Sequence, residues 1–386
     1  MKDILAVIVR EIKIWRRRPL YFVGTVIVLI VCTVFYTTLF RDGIPDKLPI
    51  GVVDYDNSTL TRNMIRQLDA TQLGHLIPYP DFKSARADME KGKITSVCVM
   101  PAGMMADVQA QRRPTFTFYI NNLYFLGGSL AYKDLMYMSN LMSGAVQREV
   151  LRMKGVNEEA IMGRIQPIQI DTHQIGNPMM SYGPYLVNMM LPGMLQMIVI
   201  IVMIYALGSE LKFGTSRQLL KTSGGSITKA VAGKCLLYTA VFTMMGFAML
   251  MLLYGPLHYY MAGHLGNMFL AMFLMILADE AIALLIISLV PVLRLGLSVG
   301  SLYTVMALSL TGFTLPVEAM PPFVQSCACI FPLRHYFQFF VQEGVYNNGF
   351  AGWYPEVIHL MVFLLLPAVL LPRLKEAYET QMYPRK

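Results

Sequence analysis

Asp279 and Glu280 stand side by side in the middle of an apolar run over 266–290. A charged group at that depth in a bilayer costs roughly 2.5–3.5 kcal/mol on insertion scales. Adjacent residues on a helix point about 100° apart, so at most one of the two is expected to face a lipid-free interior well. Two readings stand: a polar patch on a transport path or subunit interface, or one protonated and one partner-bound carboxyl holding helices together. Glu210 is the lone acid of a basic stretch over 208–234. His258 and His264 share one loop without a carboxylate and read as surface residues. The Asp54-Tyr55-Asp56-Asn57 cluster lies between a strand pattern and a helix pattern, where turn and capping chemistry is expected. The five cysteines are an odd number and read as small packing residues. Cys327 and Cys329 are too close for a relaxed disulfide and lack a second ligand pair for zinc. The chain has no G-x-x-x-x-G-K-[ST], no H-E-x-x-H, no G-x-S-x-G and no Cys or His cluster at metal spacing. It therefore offers no nucleotide site, cofactor site, metal site or catalytic residue of its own. An enzyme built on Asp279 and Glu280 would lack a nucleophile.

These residues need a membrane to position them. Of 386 residues, 55% are hydrophobic and 15% charged, against about 45–50% and about 25% in soluble domains. Mean hydropathy is +0.50. That balance excludes an ordinary soluble enzyme, a disordered chain and a nucleic-acid module. Six segments approach the ~20 apolar residues that cross a bilayer as a helix: 20–40, 184–207, 230–254, 266–290, 295–315 and 357–371. The first lacks an A-x-A-like cleavage site and reads as an uncleaved helix.

Lysine and arginine set the orientation. Segments 1–19, 208–234, 291–294 and 373–386 carry 16 basic and 5 acidic residues, whereas 255–265 has no basic residue and 316–356 only Arg334. Both termini are expected in the cytoplasm. The net charge of +8 then reflects topology and attraction to anionic inner-leaflet lipid. Residues 4–15 form an amphipathic pattern with Arg10, Glu11 and the following Arg17 and Arg18 on its polar side, as in a helix lying in the interface plane.

Residues 41–183 break the hydrophobic pattern with 15 basic and 14 acidic residues, the balance of a water-soluble fold. Strand patterns at 48–54, 94–100 and 115–120 alternate with helix patterns after Asn57 or Ser58, over 81–91 and over 127–154. This predicts an extracytoplasmic α/β domain inserted between helices one and two. Further on, Pro316, Pro321, Pro322 and Pro332 forbid one straight helix. Yet 323–340 is too apolar for an open loop, so a re-entrant helical segment over 316–356 is expected. The organisation is then 1–19 interfacial helix, 20–40 first span, 41–183 α/β domain, 184–372 remaining spans and 373–386 tail.

Several local patterns resemble the permease subunit of ABC-2 type transporters. Arg10-Glu11 and Arg17-Arg18-Pro19 are similar to the family's E…RDP elbow, with Arg18 where Asp is usual. Leu48-Pro49-Ile50-Gly51 through Asp54, Asp56, Asn57 and Ser58 resemble its strand-to-helix opening. Lys91-Gly92-Lys93-Ile94, Tyr119 through Asn122 and Pro192-Gly193 also fit. Glu210, Gly214-Thr215, Gln218 and Leu219-Leu220 resemble an E-x-x-x-G-T-x-x-x-L-L signature that ends in Gly233-Lys234, with Lys212 where a second Glu is frequent. Ser309, Gly312-Phe313, Pro316, Glu318, Met320-Pro321 and Phe331 through Tyr336 are similar to its outer re-entrant segment.

The resemblance implies six transmembrane helices and a separate ATP-binding subunit that carries the ATP and magnesium. It implies a second permease copy or homologue and allows an extracytoplasmic adaptor. The loop 208–229 would couple to the ATPase through Glu210, Gly214, Thr215, Gln218, Leu219 and Leu220. Pro316, Glu318, Pro321, Pro332, Arg334 and Tyr336 would form an outer gate. Export of an amphipathic, lipid-like or drug-like substrate is the expected activity. The Met-rich spans (30 methionines in the chain) offer either an adaptable apolar lining or plain gap filling. The competing expectation is a membrane sensor or assembly scaffold whose outer domain binds a ligand or partner.

Overall fold

The computed structural model describes residues 1–41, 47–71, 74–110, 112–121, 125–166, 173, 175–177 and 181–381. It divides into two compact units, Met1–Gly43 with Gln174–Lys386, and Ile44–His173.

The first unit opens with α1 (Lys2–Arg17), longer at both ends than the 4–15 pattern. Arg18 leaves the helical region at φ −127° and ψ 92° because the residue before a proline is pushed out of it. Pro19 then starts α2 (Pro19–Leu39). Thr25 and Thr33 point their hydroxyls back to the carbonyls of Tyr21 and Leu29, so neither spends a polar group in the apolar surroundings.

The second unit is the α/β fold. Strand β1 (Leu48–Asp54) leads to α3 (Thr59–Asp69), β2 (Gly74–Pro78), α4 (Phe82–Glu90), β3 (Ser96–Met100), α5 (Met104–Gln109), β4 (Thr117–Ile120), α6 (Phe125–Met153) and α7 (Glu158–Ile165). The sheet order is β2-β1-β3-β4. β1 pairs parallel with both β2 and β3, and β4 closes the edge antiparallel. Alternation sends Val52 and Cys98 to one face with Met64, Leu68, Leu135 and Met142, and Val53 and Val97 to the other with Ala85. Ser58 caps α3 by accepting from the Thr61 N–H, and Asp81 caps α4 by accepting from the Ser84 N–H. The Asp54 cluster is turn and capping chemistry, as expected: Asp54 accepts from the N–H groups of Asp56 and Asn57 and from the Thr61 hydroxyl. The chain 74–78 forms a strand that the pattern did not announce, and α5 and α7 are likewise additions.

The first unit resumes with α8 (Gly183–Lys212), α9 (Ser216–Thr222), α10 (Ile227–Tyr254), α11 (Leu265–Leu289) and α12 (Leu293–Ser309). It ends with α13 (Pro322–Ala328), α14 (Pro332–Phe340), α15 (Gly349–Val369) and α16 (Leu371–Thr380). Among the described residues five helices, α2, α8, α10, α11 and α15, are long and apolar enough to cross a membrane. The segment expected as a fifth span at 295–315 is the shorter α12, whose 17 residues rise about 25 Å against a core of about 30 Å. It stops before Gly312, which sits at φ +89°. The last span begins at Gly349 rather than 357, with Pro355 inside it. The 208–229 loop is also shorter than expected, since Gly208–Lys212 belong to α8 and Ile227–Lys229 to α10. The 316–356 segment resolves into α13 and α14, each started by a proline at its first position, and gives way to α15 at Gly349.

Helix α11 is the centre of this unit, with most of its span buried, whereas α2 and α15 are largely exposed. Close packing uses glycines. A Cβ on Gly193 would lie 2.4 Å from Leu308 Cδ2, and one on Gly233 would lie 2.7 Å from Val7 Cβ and 3.1 Å from the Ile4 carbonyl. These positions let α8 meet α12, and α10 meet α1, at backbone range.

Candidate functional site

Four charged side chains from three helices meet inside the first unit. Glu210, in the last turn of α8, accepts both terminal nitrogens of Arg10 from α1, at 2.7 and 2.8 Å. Lys234 of α10 reaches Glu210 at 2.9 Å and Glu11 of α1 at 2.7 Å, and donates to the Ala206 carbonyl at 3.2 Å. Arg10 also touches Glu11 at 3.1 Å. Glu11, Glu210 and Lys234 are buried. Two acids and two bases cancel, so the cluster is neutral. A buried charge is tolerated only when paired in this way. The second Glu210 oxygen also accepts from the Thr215 hydroxyl, which ties the network to the start of α9.

Aromatic contacts flank the network. The Trp15 indole N–H donates to the Tyr238 hydroxyl at 3.0 Å, and the Tyr21 and Ser209 hydroxyls lie 3.0 Å apart. Arg18, which departs from the expected elbow residue, stacks over Phe213 at 4.0 Å from its ring centre, a cation–π contact. Arg17 is exposed.

Helix α9 is amphipathic over two turns. Ser216, Leu219 and Leu220 are buried, while Arg217, Gln218 and Lys221 are exposed. Gly214, just ahead of it, sits at φ +69° with open space around it, a backbone that only glycine adopts cheaply. The underside is held by α16: the Ser216 hydroxyl donates to the Tyr378 carbonyl at 2.8 Å, and the Tyr378 hydroxyl donates to the Leu207 carbonyl at 2.9 Å. The side chains expected to act together on this loop thus divide. Glu210, Thr215, Leu219 and Leu220 face inward, and Gln218 faces out.

The intramembrane acids depart from expectation. Asp279 and Glu280 are both buried, because other helices surround α11 on both sides. Glu280 accepts from the Thr239 hydroxyl of α10 at 2.8 Å. Neither oxygen of Asp279 has a hydrogen-bond partner among the described residues. Gln196 of α8 is buried with its amide unpartnered as well.

The gate candidates do not form one cluster. Pro316, Glu318 and Pro321 are exposed, whereas Pro332 and Tyr336 are buried and Arg334 is half-buried. Their neighbour His335 has a different surrounding. Its Nδ1 lies 2.6 Å from Glu356 Oε2 and its Nε2 lies 2.9 Å from the Cys329 carbonyl. His359 stacks on it with ring centres 4.6 Å apart. The fold gathers three ligand-type atoms of His335, Glu356 and His359 within 4.8 Å of one another, a grouping that no metal-ligand spacing along the sequence announces. The Glu356-x-x-His359 spacing was readable in the sequence as one helix face; the third member comes from another helix. All five cysteines are free, and Cys329 is exposed beside this cluster rather than a packing residue.

The sequence profile described as "ABC-2 family transporter protein" matches residues 20–371. The chain belongs to the ABC-2 transporter family. This ABC-2 protein is a multi-pass membrane protein, and its family places it as the membrane domain of an ABC transporter, which pairs with an ATP-binding subunit. No curated protein is significantly similar to it. The match covers all five long apolar helices and the α/β unit, so the Glu210–Lys234 pair of this ABC-2 chain lies within the matched region, and α1 with Arg10 and Glu11 precedes it.

Proposed function

We propose that the chain is the permease subunit of an ATP-driven exporter, working as a pair of permeases with an ATP-binding subunit on each. Both termini and α9 face the cytoplasm in this reading, the α/β unit lies outside, and the membrane is the bacterial inner membrane. The short α12 completes the set of six spans. ATP and magnesium belong to the partner; this chain performs no catalysis.

The observation that carries the reading is the engagement of Glu210 by three partners. One carboxylate holds α1 through Arg10, α10 through Lys234 and the start of α9 through Thr215. A push on the exposed Arg217–Gln218–Lys221 face of α9 is then delivered to three helices through one rigid joint. Packed helices respond by switching between discrete arrangements rather than by bending, which is what alternating access needs. The α/β unit supports the substrate class. It holds a cavity of about 1020 Å³ with Met64, Met104 and Met142 on its wall and Arg112, Arg113 and Lys154 around it. That chemistry suits an acidic amphiphile. The same cavity also favours the second reading, a sensor or scaffold whose outer domain binds such a ligand without any ATPase.

The experiment purifies the full chain from native membrane and assays for a stoichiometric P-loop ATPase and for its hydrolysis rate. The exporter reading expects such a subunit, and expects Gln218→Arg with Arg217→Glu to release it without lowering the melting temperature. Absence of an ATPase from the purified parent chain favours the sensor reading.

A further inference from the structure

We infer that His335, Glu356 and His359 form a binding site for one divalent first-row transition-metal ion, with zinc the ion that fits the donor set best. The inference stands apart from the exporter reading, because it concerns metal held by this chain whatever the chain transports.

His335 sits in α14, and Glu356 and His359 sit one turn apart in α15. The tautomer is fixed from behind. The Cys329 carbonyl only accepts, so His335 Nε2, at 2.9 Å, carries a hydrogen. That leaves Nδ1 facing Glu356 Oε2 at 2.6 Å. A neutral imidazole nitrogen and a carboxylate oxygen both present lone pairs, and a cation must lie between them. A proton suffices for that pair alone. It does not account for His359, whose Nδ1 lies 3.6 Å from the same Oε2. That separation is too long for a hydrogen bond. It suits two donors on one ion, since ligands about 2.0–2.1 Å from tetrahedral zinc stand about 3.3 Å apart; metal entry would displace the proton between His335 and Glu356 and spread that pair from 2.6 Å to the same separation. A backbone carbonyl behind a ligating histidine is the usual outer-shell partner of such sites.

The donors name the class of ion. Two imidazoles and a carboxylate suit zinc and its neighbours, whereas calcium and magnesium take all-oxygen sets. Three protein ligands leave one coordination position. A cavity of about 410 Å³ lies against His335 and His359, walled by Leu285, Tyr303 and Phe363. That space borders two of the three donors, His335 and His359. Bound metal would also tie α14 to α15.

The test uses the full-length chain in detergent, stripped with a chelator and titrated with cobalt(II), then with zinc. The expected result is one cobalt per chain with visible ligand-field bands, displaced by zinc, and a zinc-dependent rise in melting temperature. His359→Ala and Glu356→Gln are each expected to weaken binding by at least about 10- to 100-fold, the range produced even by loss of outer-shell partners. His359 is 54% exposed, so its alanine variant keeps the fold, which its metal-free melting temperature verifies. The assignment is overturned if the parent chain binds no cobalt, or if His359→Ala binds it as tightly as the parent.

Discussion

Glu210 and Lys234 meet at 2.9 Å between two apolar helices, and each is all but excluded from solvent. The pair is costly to assemble and more costly to break. Removing one partner of a buried pair strands the other charge and destabilises by roughly 3–5 kcal/mol, whereas replacing the whole set by well-packed apolar groups is often neutral. Glu210→Gln leaves Arg10 and Lys234 with Glu11 alone. A large drop in melting temperature is expected. Lys234→Met with Glu210→Gln removes one charge of each sign, keeps Arg10 beside Glu11, and should recover part of it. A Glu210→Gln chain that melts like the parent would show the network to be ornamental.

Gly233 makes a separate prediction. Gly233→Val places side-chain carbon into Val7 and the Ile4 carbonyl, so α1 must move off α10. Overpacking of this kind costs about 1–3 kcal/mol. Faster proteolysis within α1 is expected. Val7→Ala in the same chain should restore part of the protection, and no restoration would mean that the two helices do not meet there.

Asp279 tests the interior. It is buried without a hydrogen-bond partner among the described residues, so the fold gains nothing evident from its carboxyl. Asp279→Leu is expected to raise the melting temperature and to abolish transport. Transport at the parental rate would remove Asp279 from the functional list and leave it an unexplained expense.

Acid should loosen the α/β unit first. The Ser84 backbone N–H holds the Asp81 carboxyl below the usual carboxylate range, the Ser58 hydroxyl does the same for Asp56, and Lys93 for Asp88. A carboxyl whose pKa is lower folded than unfolded stabilises above the unfolded value of about 3.9. That contribution is lost as pH falls through the folded value. Amide exchange at the start of α4 is therefore expected to rise below about pH 4. Asp81→Asn keeps a good cap without the titration, and its exchange at that end should no longer respond to acid.

Much of this protein was legible in one dimension, and the reasons are physical. The caps at Ser58 and Asp81 are short-range chemistry, and the apolar runs of α8, α10 and α11 are long enough to read by composition. β2 was not legible, because Leu76 and Ile77 between His75 and Pro78 are too few to show alternation. The fifth of the six apolar segments is shorter as a helix than its composition suggests, because α12 ends at Ser309, before Gly312. Glu210 was readable as an acidic exception in a basic loop. Its partners were not: Glu11 read as part of an elbow and Lys234 as an orientation charge. Nothing local says that residues so far apart share one carboxylate. His335 was hidden for the same reason, whereas Glu356 and His359 lie on one face of a single helix.

The 200 residues between Arg10 and Glu210 have a consequence for how the chain is made. At about 5–20 residues per second of synthesis, Arg10 and Glu11 leave the ribosome about 10–40 s before Glu210 exists. During that interval α1 has no partner for its charges, and its amphipathic face gives it a resting place on the membrane surface. The joint closes only when α8 and α10 have both been inserted the right way round. A chain in which either helix is misplaced therefore leaves Arg10 and Glu11 without Glu210 and Lys234.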